Sequence, residues 1–343
     1  MSELFALDPS VQKAVDFCDL VKTVQARGLM ERRPDYYSVV IGVNATLLVG
    51  VFTALFFVHG LLAAAGLGIA AGIISARTLF LGHDAAHQQI SNSRRTSRVL
   101  GLIHGNLLNG LSYGWWNSKH NRHHANPNDV DKDPDVGAGI VVWTREQATA
   151  TSGFGRFMAR NQGWFYLPLL TLEALHLKIS SIRSLKRRPV AERRSEATLL
   201  VAHLAIYLSV VFLAMPPLAA VLFIGVHQAV LGLHLGLAFA PNHKGMPMPA
   251  PGSRWNHLRK QVITSRNVRG GPVVDWMLGG LNYQIEHHLF PSMPRPHLRL
   301  AQPLVRAHCR RAGLPYVETG LVESYRQALR HVHGVGDRLR AEV

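Results

Sequence analysis

Four stretches of the chain are apolar all round, with a single charge among them. Tyr36–Val58 is the first, Leu61–Gly82 the second, Ala197–Met215 the third and Leu218–Phe239 the fourth. At ~1.5 Å rise per residue the 23 residues of the first reach ~34 Å, enough to cross a bilayer core of ~30 Å. His59-Gly60 joins the first two and Pro216-Pro217 the last two, so the pattern predicts two helical hairpins. Tyr36 and Tyr37 suit the interface, and Arg77 has a stem long enough to snorkel toward headgroups. The Ala and Gly content of the second stretch predicts close helix contact.

Three shorter patterns flank these. Trp164–Leu177 is apolar but interrupted by Pro168, Glu173 and His176, and is read as an interfacial helix. Leu100–Leu111, broken by Gly101, Gly105 and Gly110, is read as buried or re-entrant. Val11, Val15, Cys18, Val21 and Val24 recur at helical spacing after Asp8-Pro9-Ser10. They predict a short amphipathic helix, lying either on the membrane surface or against the protein body. No apolar run stands at the start, so no secretory leader is expected. The expected division is an N-terminal amphipathic segment, 1–35, and a membrane domain, 36–343.

Composition agrees with the pattern. Hydrophobic residues make up 48% of 343 and charged residues 17%, against a globular norm of ~25%. The net charge of +16 raises nucleic-acid binding as an alternative, which the long uncharged stretches argue against. Of the 37 Lys and Arg, 16 lie between His83 and Glu196, 15 after Phe239 and 5 in the first 35 residues; neither turn holds one. The positive-inside rule therefore puts both termini and the central segment in the cytoplasm. Cys18 and Cys309 stand too far apart in sequence for a CxxC site, which fits a reducing compartment. The predicted fold is an all-α integral membrane protein, four spans in two hairpins under a cytoplasmic histidine-rich helical cap.

Histidine is the outlier, with 19 residues. Seven fall in three clusters: His83-Asp-Ala-Ala-His87, His120-Asn-Arg-His123-His124 and Gln284-Ile-Glu-His287-His288. Residues three and four apart share a helix face, so His83 with His87, His120 with His123 and His124, and Gln284 with His288 point together. Neutral imidazole binds first-row transition metals, and one centre rarely needs more than three or four ligands; seven suggest two metals. A carboxylate-bridged pair would need two Glu-x-x-His motifs, and only Glu173–His176 has that form. Iron held mostly by nitrogen beside a bilayer suits oxygen activation and attack on a lipid C–H bond. The isolated His59, His104, His176, His203, His227, His257, His297, His308, His331 and His333 are read as hydrogen-bonded structural groups. A metal-ion transporter, the alternative of another class, would place its ligands near the bilayer midplane, whereas these clusters lie beyond the span ends.

With HDAAH, HNRHH and QIEHH as its three boxes, the chain resembles the membrane fatty-acid desaturases over about Tyr36 to Arg311. The run Gln284-Ile-Glu-His-His-Leu-Phe-Pro291 resembles the front-end subgroup and the bacterial acyl-CoA desaturase-like proteins. The resemblance implies two non-haem irons, O2 as co-substrate, two electrons per turnover and an acyl-CoA or acyl-lipid substrate in the cell membrane. A lipid hydroxylase or ketolase uses the same boxes and is the near alternative. It also implies one more histidine ligand past the fourth span, for which His243 is preferred over His234, a rival inside the apolar helix. Gln284 is a candidate ligand through its amide oxygen, through a water, or as an orienting group. Front-end relatives carry a fused haem domain with a His-Pro-Gly-Gly motif. That tetrapeptide does not occur here, so a separate ferredoxin- or reductase-type donor is expected. Asp84 and Glu286 are the first choices to accept the imidazoles' outer N–H groups, while Asp129, Asp131, Asp133 and Asp135 serve equally as a solvated loop. Trp115 and Trp116 are candidate walls of an acyl tunnel.

Overall fold

A computed structural model describes residues 17–187, 189–250 and 252–342. The chain is mostly helical and divides into two compact units. Of the described residues, Arg32–Ser118 and Leu167–Leu237 form a spanning unit; 17–31, 119–166 and 238–342 form a histidine-rich unit.

The spanning unit contains α2 (Pro34–Ala54), α3 (Leu61–Ala86), α4 (Arg94–Gly101), α8 (Glu173–Ser184) and α9 (Val190–Ala214). It also holds most of α10 (Pro217–His243). α2, α3, α10 and the stretch of α9 from Glu192 are long and apolar enough to cross a membrane. α3 and α10 are the more buried, whereas α2 and α9 expose Val39, Val43, Val49, Val201 and Leu213, an apolar surface suited to acyl chains. Leu55, Ala64, Ala71, Val211, Met215, Ala220 and Phe223 make one buried cluster near the two short links. Gly60 turns the chain at φ 95°, a left-handed conformation a side chain would strain.

The small residues of α3 serve the approach predicted for them. A Cβ on Gly72 would stand 2.7 Å from Val230 Cβ and 3.0 Å from the His227 carbonyl on α10, whereas one on Gly66 would meet nothing. Gly72→Leu is expected to cost ~1–3 kcal/mol by overpacking. Thermal unfolding in detergent should show a lowered midpoint for Gly72→Leu and little change for Gly66→Leu.

Leu102–Leu107, in the stretch read as buried or re-entrant, is a π-helix with His104, Gly105 and Asn106 buried. The 164–177 stretch is two helices rather than one. α7 (Gly153–Leu170) ends just after Pro168, whose carbonyl takes both the N–H and the hydroxyl of Thr171, and α8 restarts at Glu173. Several isolated histidines are hydrogen-bonded as expected: His104 to Leu100 O, His203 to Leu107 O, His227 to Ser75 and Tyr207, and His297 to Leu29 O.

In the histidine-rich unit, Val11 and Val15 of the predicted amphipathic helix lie outside the described residues. α1 (Phe17–Ala26) leaves Cys18 exposed and buries Leu20 and Val24 in the unit's core. There they join α11 (His257–Ile263), α13 (Gln284–Leu289) and α14 (Arg295–Arg311). α13 has six residues, all buried, too short to stand alone; packing against α11 and α14 holds it. The remaining helices are α5 (Tyr113–Ala125), most of it in this unit, α6 (Arg145–Thr149), α12 (Pro272–Met277), α15 (Leu321–Val335) and α16 (Asp337–Ala341). The all-α expectation needs one correction: β1 (Asn267–Arg269) and β2 (Glu318–Gly320) pair in parallel, Asn267 opposite Glu318. Three residues are too few to show a period of two.

Candidate metal centre

Three imidazoles of the histidine-rich unit, His123, His243 and His288, bring one ring nitrogen each within 4.8 Å of the others, all buried. They come from α5, the last residue of α10 and α13. Each has its Nδ1 committed outward. His123 Nδ1 lies 2.8 Å from Asp133 Oδ2, His243 Nδ1 2.9 Å from Thr264 O and His288 Nδ1 2.8 Å from Gln261 Oε1. The Gln261 amide is fixed, since its nitrogen donates to His124 O at 2.8 Å. A backbone carbonyl and an amide oxygen only accept, so His243 and His288 carry the proton on Nδ1 and a lone pair on Nε2.

Those two Nε2 atoms stand 3.1 Å apart. Two lone pairs at that distance repel unless a donor or a cation stands beside them, and the Gln284 amide nitrogen lies 2.9 Å from His243 Nε2. With a nitrogen of a third imidazole within 4.8 Å, the donor set fits a first-row transition ion. The same form recurs on α5, where His120 Nε2 and His124 Nε2 are 3.0 Å apart. The His287 ring stands 4.8 Å from that of His124 and 6.4 Å from that of His120.

The supports come from distant parts of the chain. Arg266, fully buried, holds the end of α10 in place. Its guanidinium donates to Pro241 O, to Lys244 O at 3.0 Å and to Ser324 Oγ at 3.0 Å, filling carbonyls a helix end leaves unpaired. Asp133 sits in a loop whose Asn128 has φ 58° and donates its amide side chain to His243 O at 3.2 Å. Burial pushes the Asp133 carboxyl up, but the hydrogen bond from His123 outweighs it and holds the group below the ordinary carboxylate range. Glu286 serves differently from its expected part. Its oxygens accept from Asn267 Nδ2 and Tyr316 OH, both at 2.7 Å, while Asn267 Oδ1 accepts the Ile285 N–H at 2.9 Å. It thus pins the backbone of α13, and burial pushes its carboxyl up to about 7.

Gln284 is buried beside His243. Its Oε1 accepts from Asn242 Nδ2 at 3.2 Å, which turns its amide nitrogen toward His243 Nε2 at 2.9 Å. The two histidines of the first box lie on the spanning unit at the end of α3, rings 4.8 Å apart. His83 Nδ1 is 3.2 Å from Asp84 Oδ1, and Asp84 Oδ2 accepts from Tyr37 OH at 3.1 Å. Trp116 sets its ring 5.6 Å from His83, and Trp115 donates its backbone N–H to Ser112 Oγ. His234 lies within α10, edge-on to Phe80 at 5.9 Å. Gln261, Thr264, Asn267 and Arg266 carried no signal in the sequence. Asp133 carried a weak one, as part of an acidic run.

Residues 59–320 match the family model for fatty acid desaturases. The acyl-lipid (9-3)-desaturase of Physcomitrium patens is 29% identical over 75% of this chain and 50% of its own length. The Delta(5) fatty acid desaturase fat-4 of Caenorhabditis elegans is 31% identical over 90% of this chain and 71% of its own. Delta(8)-fatty-acid desaturase 2 of Arabidopsis thaliana is 29% identical over 88% and 70%. The chain thus spans half to about seven-tenths of these relatives. By the extent of the matched residues and by these relatives, the chain belongs to the fatty acid desaturase family.

Proposed function

We propose that the chain is an O2-dependent acyl desaturase that inserts a double bond into a fatty acyl chain, as acyl-CoA or acyl-lipid, at a non-haem di-iron centre. The observation that carries this is the pair of facing Nε2 atoms on His243 and His288, 3.1 Å apart with both Nδ1 protons directed outward. His83, His87, His120, His123, His124, His243, His287 and His288 would hold the two irons. Bound there, the metals would supply oxygen activation and the removal of hydrogen from unactivated methylenes.

The chain's own residues do the rest. Thr264 O, Gln261 and Asp133 keep the imidazoles oriented with their inner nitrogens unprotonated, and burial keeps bulk water from them. The four helices in two hairpins hold the protein in the membrane, with the histidines at the cytoplasmic face that the Lys and Arg distribution selects. Trp115 and Trp116 wall the acyl path, and a separate ferredoxin- or reductase-type protein delivers the electrons. The desaturase names of the relatives favour loss of a second hydrogen over capture of oxygen.

Gln284 sets its amide nitrogen on the His243 Nε2 lone pair that an iron would take, so metal binding would turn the amide and bring its carbonyl oxygen, a candidate ligand, to the site. The test joins metal analysis to lipid profiling in a host supplied with a reductase. Two irons per chain and an unsaturated product are expected. Gln284→Leu should lower iron retention against a chelator about tenfold, with Gln284→His recovering it. Iron-free protein that still forms product would overturn the reading, and a Gln284→Leu variant equal to the parent would remove that residue from the site.

A further inference from the structure

α14 turns a line of arginines away from its buried side. Leu298, Ala301, Val305 and Cys309 face the core, while Arg299, Arg306 and Arg310, separated by seven and four residues, follow the opposite face. Arg306 and Arg310 do not simply point into solvent. With Arg269 of β1 they border a cleft of about 390 Å³, completed by Leu314, Tyr316 and Glu318. Three guanidiniums and one carboxylate thus line the cleft, a formal excess of two positive charges.

The cleft is pre-ordered. Glu318 pairs with Arg306 and, at 3.4 Å, with Arg269 Nε, and it accepts from Gln302 Nε2 at 3.5 Å. Arg306 lies over the Tyr316 ring at 5.2 Å, and Tyr316 is itself held through its hydroxyl by Glu286 and Asn267. The carboxylate therefore aims two of the arginines rather than cancelling the cluster. Arg306 Nε is buried with no hydrogen-bond partner, and the Arg310 guanidinium makes no ion pair among the described residues.

We propose that this cleft is a binding site for a phosphate group. Three guanidiniums on one cleft offer more N–H groups than the single Glu318 carboxylate accepts, and the surplus suits a tetrahedral oxyanion with three outer oxygens. The phosphate comes either from a free phosphate-bearing molecule or from a lipid headgroup, and both offer the same chemistry to these residues. The site lies outside the histidine cluster and stands independently of the proposed oxidation. Its floor residue Tyr316 is one hydrogen bond from Glu286, the residue before His287.

Calorimetric titration of the purified full chain in detergent tests this, with inorganic phosphate and short-chain dihexanoyl phosphatidic acid as probes at constant ionic strength. Saturable one-site binding is expected, weakened about tenfold in Arg310→Ala and in Arg269→Ala, the loss of one charge-assisted contact each. Arg254→Ala, an exposed arginine elsewhere, should bind as the parent does. Because Arg310 and Arg269 are surface groups, the variants' unfolding midpoints without ligand should match the parent's. Tighter binding of phosphatidic acid supports the lipid source; equal binding supports free phosphate. No saturable binding of either probe, or a loss in Arg254→Ala equal to that in Arg310→Ala, overturns the proposal.

Discussion

His243→Ala is expected to abolish product formation and to lower iron retention at least ~100-fold, while His234→Ala keeps most of both. The two histidines sit on the same helix, and the sequence favours His243 because it lies past the apolar run that contains His234. Their surroundings separate them clearly. His243 gives its Nδ1 proton to Thr264 O, faces His288 Nε2 at 3.1 Å and shares a buried cluster with His123. His234 meets the ring of Phe80 instead. An alanine at 243 removes one of three converging donors, a larger loss than that of an outer partner, for which ~10–100-fold is usual. Iron counted by mass spectrometry on purified variants, beside lipid profiles of the same cells, decides it. An unfolding midpoint measured without iron guards against simple misfolding. Equal iron in both variants would return the extra ligand to an open question.

What could be read from sequence, and what could not, divides by range. Uninterrupted apolar runs predicted the four long helices, with ends displaced by a few residues; α10, for instance, runs on to His243 past Pro241, because Arg266 satisfies the end carbonyls from afar. The helical spacing of His120 and His124 predicted a shared face, and their Nε2 atoms are 3.0 Å apart. Both inferences need only neighbours in the chain. The supports of the imidazoles are remote: Thr264 is 21 residues from His243 and Gln261 is 27 from His288. A backbone carbonyl such as Thr264 O leaves no residue-type signature. Glu286 misled because it sits inside a box, yet α13 points it at Asn267 and Tyr316. The break between α7 and α8 also escaped, since the hydropathy of 164–177 continues through it while Pro168 changes the hydrogen bonding.

Asp133 bears the second large effect. Of the acidic run, its side chain is the buried one, and it serves three donors at once. Oδ2 accepts from His123 Nδ1 at 2.8 Å and from the Asn128 N–H at 2.8 Å; Oδ1 accepts from the Asp135 N–H at 2.9 Å. A carboxylate can meet all three because it only accepts. Asparagine cannot: its NH2 must face either His123 with Asn128 or the Asp135 N–H, and each choice sets donor against donor. One buried donor is left unsatisfied, at a cost of about 1–3 kcal/mol. The charge that makes His123 a stronger ligand is lost as well. Asp133→Asn should therefore lower iron affinity ~10–100-fold in chelator competition, with a modest drop in the unfolding midpoint of the iron-free protein. Asp131→Asn, two residues away on an exposed turn, should change neither. If Asp133→Asn lowers the midpoint but leaves iron affinity unchanged, the carboxylate holds the loop alone and His123 is oriented by other means.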